Sequence, residues 1–246
     1  MFKLSTLIAV FAFSSLANAH DPNVQHVASK KIKAEAKHYD PVVKKLHGWT
    51  VHIDPKLVEG EHAELGKRCI SMLANHLERL AIYVKGKQLE DLRKVEFWVE
   101  HNNPGLRGAQ YHPSKKWLAS NGHDPRLAKK VHFPQAANLV NRGQILKHPA
   151  VVLHELAHGY HDQILGFDEP RILKAYQKAM KEKLYDKVML YTGKKVKAYA
   201  ATDHKEYFAE ATEAYFYKND FYPFVRGELM EHDPHFYKIV QEIWDK

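Results

Sequence analysis

The amino-acid sequence predicts an α+β fold, mostly helical with a small twisted sheet, and three observations lead to it. Strand character is confined to short runs: Trp49-Thr50-Val51-His52-Ile53 alternates and is β-branched or aromatic, and Val95-Glu96-Phe97-Trp98-Val99 has the same makeup. Between them, Leu65, Cys69, Met72, Leu73, Leu77 and Leu80 recur at helical spacing, so a long core helix runs from Glu61 to about Val84 and stops at Gly86. The second half of the chain reads almost wholly as helix, in runs around 149–164, 169–185 and 206–216. No internal repeat or low-complexity linker divides these elements, which places 48–246 in one domain.

Residues 1–19 have the makeup of a secretory signal: Lys3 is the charged start, Leu4 to Leu16 is mostly apolar, and Ala17-Asn18-Ala19 is an A-x-A cleavage site. The mature chain is then expected to begin at His20 and to be secreted or periplasmic. Residues 20–47 carry Lys30, Lys31, Lys33, Lys37, Lys44 and Lys45 among alanines and valines, broken at Asp40-Pro41, and read as an N-terminal helical segment. Past the second strand, Asn102-Asn103-Pro104-Gly105, Asn121-Gly122 and Asp124-Pro125 are turn chemistry, Gly108 to His112 suits a short strand, and Val131-His132-Phe133 suits another. As an exposed edge, that last strand would hold an extended peptide by backbone pairing. His101, His112, His123 and His132 have no ligand spacing to one another and read as surface or substrate-contact residues. Tyr191-Thr192-Gly193-Lys194-Lys195 is a basic turn, and the tail from Asp220 to Lys246 is rich in large apolar residues that should pack on the preceding helices.

Composition narrows the function. The chain has 246 residues and a formal charge of +8, spread over many segments, which favours acidic partners or surfaces; no nucleic-acid motif exploits it. The single cysteine, Cys69, excludes an intramolecular disulfide and reads as a buried small hydrophobe. After the leader, no apolar run approaches the length of a membrane span.

The chemistry concentrates in His154-Glu155-Leu156-Ala157-His158. On a helix the two histidines fall about 40° apart on one face, so both imidazoles can meet one metal ion. Glu155 lies on the flank, where its carboxylate can take a proton from water activated at the metal without being a ligand, the division of labour that H-E-x-x-H implies. His161 shares the face, but three ligands along one straight helix cannot surround an ion tetrahedrally, and Ile164 stands where a longer histidine motif would place its last ligand. The third ligand should therefore come from another helix. Glu206-Tyr207-Phe208-Ala209-Glu210-Ala211-Thr212-Glu213 sets three glutamates within about 60° of one another on a helix otherwise alanine and aromatic. Buried carboxylates so close need a cation or donors facing them, and spacing leaves both Glu206 and Glu210 open as the ligand.

The pairing of His154-Glu155-Leu156-Ala157-His158 with Glu206-Tyr207-Phe208-Ala209-Glu210 resembles the glutamate-zincins of the anthrax lethal factor type, a group that includes secreted Pro-Pro endopeptidases. The similarity covers roughly residues 148–217. It implies a zincin-like metallopeptidase fold holding one Zn2+ per chain, with His154, His158 and Glu206 as ligands and Glu155 as general base. It also implies that Glu210 supports a ligating histidine and that Tyr199 is the phenol facing the substrate carbonyl. The expected function is a secreted zinc metalloendopeptidase acting on a peptide or protein substrate; the alternative is an inactive zincin-like protein that binds zinc and a protein partner.

Overall fold

The computed structural model describes residues 38–245, so the expected leader and residues 20–37 of the N-terminal segment lie outside the described residues. The fold is α+β, with a mixed five-stranded sheet and a larger helical part. Strands β1 (Val42–Leu46) and β2 (Trp49–Ile53) form an antiparallel hairpin. This replaces the helix expected up to residue 47. His47 and Gly48 both take positive φ, 48° and 98°, the two-residue turn that suits the twist of paired strands. Lysines on β1 face solvent at the sheet edge, where charge discourages further strand pairing.

Helix α1 (Ala63–Tyr83) follows the predicted spacing and buries Cys69, Leu73, Leu77 and Leu80. The thiol of Cys69 donates to Ala136 O at 3.1 Å, and burial pushes its pKa up to about 11, as an unreactive core residue requires. Helix α1 ends before the expected Gly86, at Tyr83, with Val84 and Lys85 extended, and Gly86, with φ of 59°, is instead the first residue of a further short helix, α2 (Gly86–Leu92). Strand β3 (Glu96–Val99) then enters the sheet parallel to β2.

Strand β4 (Gln110–Tyr111) precedes helix α3 (Lys115–Ser120), and β5 (Lys130–Phe133) completes the sheet in the order β1-β2-β3-β5-β4. Strand β5 is therefore interior, parallel to β3 and antiparallel to β4. The exposed edge expected at 131–133 belongs instead to β4. Side chains alternate across the sheet. Val51, Phe97, Val131 and Phe133 join the main core under the helices, while Trp98 leads a smaller cluster with Leu118 and Leu127 on the opposite face. His132 and His112 are buried, not surface residues, with His112 Nε2 3.1 Å from His132 Nδ1.

Helices α4 (Arg142–Lys147), α5 (Val151–Tyr160) and α6 (Pro170–Lys181) follow; α5 continues into a π-helical turn, His161–Leu165. The basic turn joins the short pair β6 (Val188–Met189) and β7 (Lys195–Val196). Helix α7 (His204–Phe216) packs beside α5, and the tail forms α8 (Arg226–His232) and α9 (Pro234–Trp244). As expected, the tail packs on the central helices: Phe236 stacks on Tyr207 at 3.8 Å, and Trp244 lies 6.0 Å from Phe208.

Candidate metal and catalytic site

Helix α5 carries both histidines in a helix buried on nearly every side, held by Val152, Leu156 and Ala157. Gly159 lets it approach the sheet closely, since a Cβ there would sit 2.7 Å from Val95 Cγ1. Helix α7 starts where it must to present Glu206: the Asp203 carboxylate caps it by accepting from Lys205 N and Glu206 N at 2.8 and 3.0 Å. Tyr207 and Phe208, next to Glu206, are fully buried and anchor α7 to the tail and to α5.

The structure brings three sequence-predicted residues to one point. His154 Nε2, His158 Nε2 and Glu206 Oε2 are separated by 3.0, 3.1 and 3.2 Å. Ligand atoms about 2.0–2.1 Å from a tetrahedral zinc would lie roughly 3.3 Å apart, so the trio has close to the dimensions of one face of such a site. Proton accounting points the same way. His154 Nδ1 sits 2.6 Å from Glu213 Oε1, and because a carboxylate accepts, Nδ1 carries the proton. In the neutral ring, Nε2 then presents a lone pair toward a carboxylate oxygen and a second imidazole. Converging lone pairs of this kind fit a cation, and the donor set of two imidazoles and one carboxylate suits zinc. With no cation between them, the same contacts favour a doubly protonated His154 whose Nε2–H donates to Glu206, and a bound cation would take the place of that proton. Burial lowers the pKa of His154, but hydrogen bonds to Glu206 and Glu213 outweigh it and raise it well above the usual histidine range. Burial opposes ionisation of Glu206 as well, yet His154 and His158 hold its carboxyl far below the usual range.

Glu155 stands apart from the trio. Its Oε2 accepts the Tyr111 backbone N–H at 2.7 Å, so strand β4 fixes the carboxylate beside the histidines. Tyr199 lies on the other side of Glu206, its hydroxyl donating to Glu206 Oε1 at 3.3 Å and its ring 6.3 Å from His154. It is 46% exposed and open to a ligand; partial burial and the Glu206 charge raise its pKa, so the phenol stays protonated.

Glu210 departs from expectation. It makes no hydrogen bond to a histidine; its Oε2 accepts from Asn219 Nδ2 at 3.0 Å, and burial beside Glu213 and Asp220 raises its pKa well above the usual range. The carboxylate on His154 Nδ1 belongs to Glu213, which also lies 3.1 Å from His148 Nε2. Burial opposes its charge, but the two histidines hold its pKa down at about 2. Glu213 is seven residues after Glu206, two helical turns along the same face. That periodicity was the available signal for Glu213; His148, ahead of Pro149, carried none. Searches against known protein families, curated proteins and solved structures find no match to this chain.

Proposed function

We propose that this protein is a zinc-dependent metalloendopeptidase of zincin-like architecture, related in its site to the glutamate-zincins, and that it acts outside the cytoplasm. The observation that carries this reading is the convergence of His154 Nε2, His158 Nε2 and Glu206 Oε2 within 3.2 Å, with the Glu155 carboxylate held alongside by Tyr111 N–H. His154, His158 and Glu206 would hold the ion. When bound, zinc supplies a Lewis acid that polarises a carbonyl and makes water acidic enough to react near neutral pH.

The chain's own residues do the rest. Glu155 accepts the proton of the attacking water and delivers it to the leaving amine. Its bond to Tyr111 N–H fixes where that proton is held. Tyr199 keeps its proton and donates to the oxyanion that develops on the carbonyl, a contribution of about 3 kcal/mol in comparable sites. Glu213 fixes the tautomer and orientation of His154. Strand β4 lies at the edge of the sheet with its Tyr111 N–H held by Glu155, so an extended peptide laid along this edge would run beside the general base. Among the described residues no helix is long and apolar enough to cross a membrane.

The test uses the purified full chain and a broad peptide library. Wild type should cleave, and Glu155→Gln should lose about 10²–10⁴-fold in turnover while keeping one zinc. A zinc-loaded wild type that cleaves nothing would leave the inactive, partner-binding alternative in its place.

A further inference from the structure

Away from the site, the face of α1 that does not pack on the sheet forms one wall of a cleft of about 750 Å³, closed by α4 and by the residues next to α5 and α7. Its walls are cationic. Lys67, Arg68 and Arg79 line it, with Glu64 the only carboxylate. Lys67 and Arg68 are exposed and form no ion pair among the described residues. Arg79 donates to the Tyr217 hydroxyl at 3.2 Å and lies 5.6 Å from its ring centre, so the aromatic wall is already covered by a cation. His76 in the same cleft is kept neutral, its pKa lowered to about 4 by burial and by Arg79. The floor is apolar, made by Met72, Val140, Ile145 and Pro149.

Dimensions define the ligand. From Lys67 and Arg68 to Arg79 is eleven or twelve residues of helix, about 17 Å, which matches five residues of extended peptide at about 3.3 Å each. Two acidic positions five residues apart, with apolar residues between them over the floor, would satisfy both ends at once. A nucleic acid fits less well, since the aromatic face in the lining, Tyr217, is taken by Arg79 rather than free for stacking. Pro149 and Tyr217 border the metal site from behind, since His148 touches Glu213 and Tyr217 N bonds to Glu213 O.

We propose that this cleft is a docking groove for an acidic, partly apolar segment of a protein substrate. Its preference for such a segment stands on the cleft alone; the segment's role as part of a substrate rests on the peptidase reading. The charge of +8 would draw such partners in, and the groove would select among them.

The probe is a fluorescein-labelled heptapeptide, Glu-Glu-Leu-Ala-Val-Ser-Glu, titrated with the full chain and followed by anisotropy, which needs no turnover. Binding should weaken with added salt, fall about tenfold in Lys67→Gln/Arg68→Gln, and survive in the control Lys115→Gln/Lys116→Gln, which removes the same charge from α3. The Lys-Lys-Leu-Ala-Val-Ser-Lys peptide should not bind. Equal binding by the groove variant, equal loss in the control, or no binding by wild type overturns the proposal. An oligothymidylate bound as tightly through Lys67 and Arg68 would assign the cleft to nucleic acid. These results stand whether or not the chain cleaves peptides, so failure here and failure of the peptidase reading are told apart.

Discussion

His154 and His161 lie seven residues apart on one continuous helical run, both almost wholly buried, yet they sit in opposite surroundings. His154 meets a carboxylate at each ring nitrogen, Glu213 at 2.6 Å and Glu206 at 3.0 Å. His161 has no hydrogen-bond partner at either nitrogen and is packed against Phe167 and Phe208, with the ring of His204 5.8 Å away. Burial lowers the pKa of both. At His154 two hydrogen-bonded carboxylates reverse the effect; at His161 the nearby His204 and His158 add to it and the value falls to about 3. Burial thus says little about what a histidine does, and the direction in which acceptors converge says most of it.

The largest break in this contrast comes from Glu206→Ala, which removes the carboxylate from the converging trio. The variant should lose bound zinc and with it all measurable turnover, read by mass spectrometry of protein purified without added metal. Retention of one equivalent would move the third ligand to another carboxylate. The second group able to hold an ion, His148, His154, Glu210 and Glu213, would then be the place to look.

A finer contrast separates Glu213 from Glu210. Glu213→Gln takes the acceptor from His154 Nδ1, and zinc affinity should fall about ten- to a hundredfold in a chelator competition. Glu210→Gln keeps a group that can accept from Asn219 and replaces a carboxyl that burial already favours in its neutral form, so affinity should change little. The reverse ranking would restore Glu210 to the role that the resemblance to glutamate-zincins implies.

How much of this was readable beforehand differs between the two regions. The histidine pair is legible because ligand geometry writes itself into spacing, with two histidines four residues apart on one helix; for the third ligand spacing leaves Glu206 and Glu210 both open, and only the resemblance to glutamate-zincins implies Glu206. The burial of Cys69 and the packing of the tail were legible for the same periodic reason. The choice between Glu210 and Glu213 was not, because it depends on the rotation of α7 against α5, which Tyr207, Phe208 and their partners in the tail set through long-range packing. Strand β1, Val42-Val43-Lys44-Lys45-Leu46, reads as a continuation of the lysine- and alanine-rich run before it, while the His47-Gly48 turn that closes the hairpin spans only two residues. The pair His112 and His132 has no spacing signal at all: twenty residues apart, they meet only because β5 places His132 beside the chain leaving β4.

The smallest predicted effect tests the other half of the comparison. A histidine whose folded pKa is depressed binds fewer protons folded than unfolded once the pH drops below about 6.5, so it removes stability as pH falls toward its folded value. For His161, with a folded value of about 3, the loss by pH 5.5 is on the order of 1 kcal/mol. His161→Phe keeps the ring packing against Phe167 and Phe208 but cannot take up a proton. The stability difference between variant and wild type, from urea unfolding, should therefore shift in the variant's favour by on the order of 1 kcal/mol between pH 8 and pH 5.5. Any zinc held by His154 and His158 would also be bound more weakly in acid, but that loss would be common to both proteins and cancel in the difference. Any fixed cost of fitting the larger ring appears equally at both pH values. A difference that stays constant with pH would mean that His161 takes up its proton in the folded state as easily as in the unfolded one, and its isolation from polar partners would then have to be abandoned.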